Sequence, residues 1–69
     1  MDADHDNNLI ILTSFDLEFV SLRRLDTLKE LNRFDASIKR DKIIGMKLIT
    51  PFIMLWNIES VKLYYINFF

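Results

Sequence analysis

Sixty-nine residues hold one domain at most, and a chain this short buries only about 60% of its unfolded surface, so its core alone gives marginal stability. The absence of cysteine excludes a disulfide framework, and a single histidine, His5, excludes a structural zinc site with the usual ligand count. The net charge is −1, and seven of the nine lysines and arginines lie between positions 23 and 42, interleaved with Asp26, Glu30, Asp35 and Asp41. Such a mixed field is not the basic footprint that nucleic acid requires.

Residues 1–8 (MDADHDNN) carry three aspartates and no large apolar side chain after Met1, and are expected to be a disordered acidic tail; residues 9–69 then form a single small domain. Residues 9–12 (LIIL) are a short apolar run that suits a strand or a hydrophobic lead-in equally. Residues 13–16 (TSFD) match a capping box, with Thr13 accepting from a backbone N–H three residues on and Asp16 favouring the positive helix end. No glycine or proline interrupts the chain from Thr13 to Ile44, and Gly45 stands where a helix C-cap favours positive φ. Asp35 and Lys39 add an i,i+4 pair in the favourable order. These signals predict a helix over about residues 14–44, near 45 Å long if straight.

Within that helix, Leu22, Leu25, Leu28, Leu31 and Phe34 fall at every third position. On a helix such steps sweep about 240°, so the stripe needs cover on several sides. A second helix over about residues 51–66 is predicted from Thr50 as N-cap and Pro51 at the first position. Met54, Ile58, Val61, Tyr65 and Phe68 then give a 4,3,4,3 seam. Residues 60–69 (SVKLYYINFF) are also rich in aromatic and β-branched side chains and suit a strand equally. The expected fold is thus all-α, a small helical hairpin with coiled-coil-like packing.

An α+β alternative comes from a shared spacing. Leu9, Leu12, Phe15, Leu17, Val20 and Leu22 are spaced like Leu55, Ile58, Val61, Leu63, Ile66 and Phe68. The pattern resembles that of leucine-rich repeats, although Val20 and Ile66 stand where the signature asparagine belongs. Residues 34–41 (FDASIKRD) are similar to a helical segment, with a comparable Asp-Ser-Ser-Ile-Lys-Arg string, in the MIF4G-type domains of nonsense-mediated decay scaffolds. That resemblance spans eight residues, implies helix there, and carries over no function or site residue.

Catalytic patterns are missing. There is no cysteine nucleophile, G-x-S-x-G elbow or H-E-x-x-H pair, and one glycine cannot make a phosphate-binding loop. No enzymatic activity, cofactor or metal site is therefore expected. Asp4, His5 and Asp6 offer metal ligands, but a tail must lose its conformational entropy to use them. Asp16 and Glu18 read as exposed helix carboxylates, with no pocket to shift their pKa values. Trp56 and the aromatic residues Phe52, Tyr64, Tyr65, Phe68 and Phe69 lack the basic groove that accompanies base stacking, and read as packing.

The C-terminal third, residues 43–69, has only Lys47, Glu59 and Lys62 as charges among 18 apolar residues. Its longest apolar run, residues 48–56, is too short to span a bilayer. An acidic N-terminus argues against export, so a cytoplasmic location is expected. The expected function is a non-enzymatic protein–protein interaction module, or a fragment of a larger assembly. A protein partner or self-association would complete its apolar faces, with Leu22, Leu25, Leu28 and Leu31 on one helix and Trp56, Ile58, Tyr65 and Phe68 on the other as contacts. The alternatives are a leucine-rich-repeat-like binding fragment and a peripheral membrane peptide using residues 43–69. The terminal Phe68–Phe69 pair reads as buried, bound or marking a truncated chain.

Overall fold

A computed structural model describes residues 1–14, 18–36 and 43–66. These residues form seven antiparallel strands and, among the described residues, no helix: β1 (Asp2–Asp4), β2 (Leu9–Thr13), β3 (Phe19–Arg24), β4 (Glu30–Asp35), β5 (Gly45–Ile49), β6 (Phe52–Trp56) and β7 (Val61–Tyr65). The first four make one sheet in the order β1-β2-β3-β4 and the last three a second, β5-β6-β7, so each sheet is a simple meander. The helical hairpin and its coiled-coil-like packing are overturned. The leucine-rich-repeat alternative falls as well, because its strands would be parallel and joined by helical or irregular segments, whereas here every pairing is antiparallel.

Alternation decides the fold. In β3 Val20 and Leu22 are buried while Phe19 is exposed and Ser21 and Arg23 are only half-buried, and in β6 Ile53 and Leu55 are buried while Phe52 is exposed. That period of two matches a sheet with one face on a core. The inward residues of both sheets meet in one cluster that includes Ile11, Val20, Leu22, Leu48, Ile53 and Leu55, with Phe34, Met46 and Tyr64 packed against it.

The spacing by threes at residues 22–34 is a hairpin seen in projection. Leu22 ends the buried set of β3, Leu25 and Leu28 lie in the turn, and Leu31 and Phe34 belong to β4. Leu22 pairs with Asn32 and Arg23 with Glu30, which leaves Leu31 as a bulge residue between them. Leu28 adopts φ 61°, the left-handed conformation that a hairpin loop usually gives to glycine or asparagine. Two backbone bonds hold the turn: Leu28 N–H donates to Arg24 O (2.9 Å) and Arg24 N–H to Lys29 O (3.0 Å). Asn8, with φ 57°, accepts from Leu25 N–H through its carbonyl and from Asp26 N–H through Oδ1, tying the β1–β2 turn to this one.

The helix start and stop signals do other work. Ser14 rather than Thr13 supplies the side-chain acceptor, at the start of β3: its Oγ accepts from the Glu18 and Phe19 backbone N–H groups at 3.0 and 3.1 Å. Thr13 lies in β2; Asp16 and Lys39 lie outside the described residues. Thr50 and Pro51, joined by a cis peptide, form the β5–β6 turn instead of opening a helix. Residues 34–35 of the string that resembles a MIF4G-type helix are strand β4, and residues 37–41 lie outside the described residues. Gly45 begins β5 without positive φ; its role is room, because a Cβ there would meet the Trp56 ring at 2.3 Å.

Residues 2–4, placed in an acidic tail from the sequence, are strand β1, and their carboxylates close one seam between the sheets. Asp2 Oδ2 accepts from Leu48 N–H at 2.8 Å, and Asp4 Oδ2 accepts from the Thr50 hydroxyl. The opposite seam is aromatic: the Phe34 and Tyr64 ring centroids are 4.9 Å apart and Tyr64 OH donates to Asp35 O at 2.5 Å.

Candidate functional surfaces

With the inward residues committed to the core, function must be sought on the two outward faces. On the four-stranded sheet, register places Leu12, Ser21 and Arg33 in one row and Ile10, Arg23 and Glu30 in the next. Their polar groups are joined to one another. Ser21 Oγ donates to Glu30 Oε2 (2.7 Å) and accepts from Arg23 Nε (3.0 Å), while Arg33 Nε and Nη2 donate to Glu30 at 3.2 and 3.1 Å. Arg23 Nη1 also donates to Leu28 O (3.0 Å), and the Arg33 guanidinium lies 5.0 Å from the Phe19 ring centroid.

The Ser21 hydroxyl and then the Arg33 guanidinium hold the Glu30 carboxyl below its ordinary pKa. An open depression of about 210 Å³ lies over this network, bordered by Phe19, Arg23, Glu30 and Arg33. One carboxylate between two guanidiniums leaves a single positive excess, and each of these charges already has a protein partner.

The outward face of the three-stranded sheet is different in kind. Its rows are Gly45–Trp56–Val61, Lys47–Met54–Leu63 and Ile49–Phe52–Tyr65. Lys47 is the only charged residue among these nine positions, and it sits on the outer strand β5. Val61, Leu63 and Tyr65 are 64%, 60% and 65% exposed, and Ile49 and Phe52 are also exposed. Phe52 and Tyr65 meet edge to face, with centroids 5.7 Å apart. The Trp56 ring fills the space beside Gly45 that a Cβ would take, so the glycine makes room for the largest side chain of the face.

The contact residues expected from the sequence divide accordingly. Leu22 is 2% exposed and belongs to the core. Leu25 and Leu28 are in the β3–β4 turn and Leu31 is on β4, so these three form no common stripe. Trp56 and Tyr65 do share a face, together with Phe52, Met54, Val61 and Leu63, which the helical reading left out of the site. Ile58 is exposed in the β6–β7 turn, and Phe68 lies outside the described residues. The missed residues carried a signal: Val61, Leu63 and Tyr65 alternate at period two, as do Phe52, Met54 and Trp56.

Near the turns, Asp26 is held down to about 2 by Arg24 and then by Asn8. No group of three or more metal-ligating side chains occurs among the described residues, and no helix there is long and apolar enough to cross a membrane. Compared with family models, curated proteins and solved structures, the chain gives no match.

Proposed function

We propose that this protein is a non-enzymatic interaction module whose binding surface is the outward face of β5–β7. The observation that carries the reading is the continuity of the apolar face: three adjacent strands present Ile49, Phe52, Val61, Leu63 and Tyr65 to solvent with one lysine among them. A monomer gains nothing by exposing such a patch, and apolar patches of this size on small proteins are often contact sites. Aromatic and methionine side chains with few charges are also the composition of interface centres. The partner is a protein surface of matching apolar character. A lipid surface is the less favoured reading, since Lys47 alone supplies positive charge on this face. Cytoplasmic residence belongs to the same proposal, supported by a core that closes without disulfides.

The test uses an environment-sensitive apolar dye at submicromolar protein concentration. Leu63→Lys should lower dye fluorescence several-fold while the far-UV circular dichroism of the sheets is unchanged. Equal dye binding by the wild-type protein and the variant would remove this face as the contact surface.

A further inference from the structure

Resting on that reading, we infer that the occupant of the β5–β7 face is a second copy of this chain, packed sheet to sheet about a two-fold axis parallel to β6. Area comes first. Three strands about 4.8 Å apart, five residues long at about 3.4 Å each, make a face on the order of 15 by 17 Å. Ile49, Phe52, Val61, Leu63 and Tyr65, each 41–65% exposed, stand out from that plane and bring its accessible surface to on the order of 500 Å² per copy, so a pair reaches the roughly 1,000 Å² at which a specific interface begins. Apolar sheets stack on one another at about 10 Å in sandwiches, and this face already has the alternation that such stacking uses.

The single charge selects the axis. A two-fold axis across the strands would lay β5 on β5 of the second copy and bring the two Lys47 side chains together, with no acid on the face to separate them. An axis along β6 lays β5 over β7 of the second copy instead. The two Lys47 then stand on opposite rims, roughly 14 Å apart by strand and sheet spacing and beyond a Debye length at physiological salt. In this arrangement Lys47 crosses Leu63 of the second copy, Ile49 crosses Tyr65, and Gly45, with the Trp56 ring against it, crosses Val61, while Phe52 and Met54 lie along the axis. Small or aliphatic residues therefore meet larger ones in each outer row, as a self-complementary interface requires.

The orientation gives an asymmetric test at Leu63, which is 60% exposed and outside the core, so its substitution leaves the fold intact. Sedimentation equilibrium should show a wild-type monomer–dimer equilibrium in the micromolar range. Leu63→Lys faces Lys47 of the second copy and should weaken dimerisation at least ~100-fold. Leu63→Glu faces the same lysine with the opposite charge and should weaken it only ~10-fold. Equal weakening by both variants overturns the axis along β6. A wild-type protein that stays monomeric at several hundred micromolar overturns the second copy as occupant. If Leu63→Lys still lowers dye binding in that case, the interaction face stands without self-association; if dye binding is unchanged too, both proposals fall.

Discussion

The outward face of the four-stranded sheet and that of the three-stranded sheet cover the same core, yet they solve the problem of solvent in opposite ways. On the first, Ser21, Arg23, Glu30 and Arg33 exchange hydrogen bonds among themselves, so a partner would have to replace contacts that already exist. On the second, Met54, Val61, Leu63 and Tyr65 have no such internal settlement, and water over them is readily displaced. An unsatisfied apolar surface, more than a cluster of charges, is therefore where this chain has binding energy to offer.

That contrast can be broken from beneath. Ile53 is fully buried on the inward side of the same strand that carries Phe52 and Met54 outward. Ile53→Ala should cost about 2–5 kcal/mol in urea denaturation, enough to unfold a chain of this size and abolish both faces together. A smaller effect, confined to one face, is expected at Gly45. Gly45→Ala drives a methyl into the Trp56 ring and should cost about 1–3 kcal/mol, with a shift in tryptophan emission and no change at the Arg23–Glu30–Arg33 network.

Acid sharpens the comparison from the other side. Asp2 is lowered first by the Leu48 N–H, Asp4 by the Thr50 hydroxyl, Asp26 by Arg24 and Glu30 by Ser21. Each is depressed in the folded state, so its stabilisation is complete above the ordinary carboxylate range and is lost as pH falls through the folded value. The melting temperature should be flat from about pH 8 to 5 and should fall from about pH 4 downward. Asp2→Ala and Asp4→Ala should flatten that fall, because they remove two of the titrating groups. The smallest effect is a gain. Leu28→Gly relieves a left-handed leucine that is half exposed and should stabilise the fold by up to about 1 kcal/mol, leaving the apolar face untouched.

Part of this organisation was legible in the sequence and part was hidden for a physical reason. Residues 9–12 and 60–69 were open to strand from their β-branched and aromatic content, and they supply β2 and β7. The long helix failed because its evidence was indirect: a possible cap, the absence of glycine and proline, and leucines at every third position. A hairpin produces the same leucine spacing when its turn needs no glycine, and here Leu28 occupies the left-handed position that glycine would have marked. Gly45 misled in the converse way. It was read as a helix C-cap, whereas the space it leaves is filled by Trp56 from the neighbouring strand. Such a contact depends on cross-strand register, which no local window of sequence contains. Tyr65 was placed among the expected contacts through a helical spacing that Trp56 does not share, and the face the two have in common comes from strand alternation.

The Trp56–Gly45 contact also makes the protein its own reporter. The chain has one tryptophan, so its intrinsic emission comes from a single indole, and that indole lies on the apolar face rather than in the core. Anything that settles there changes the polarity around one identifiable ring, while events on the polar sheet do not reach it. Occupancy of the face proposed for binding can thus be followed by titration in unlabelled, unmodified protein, with a blue shift marking arrival and quencher protection marking how closely an occupant seals the ring.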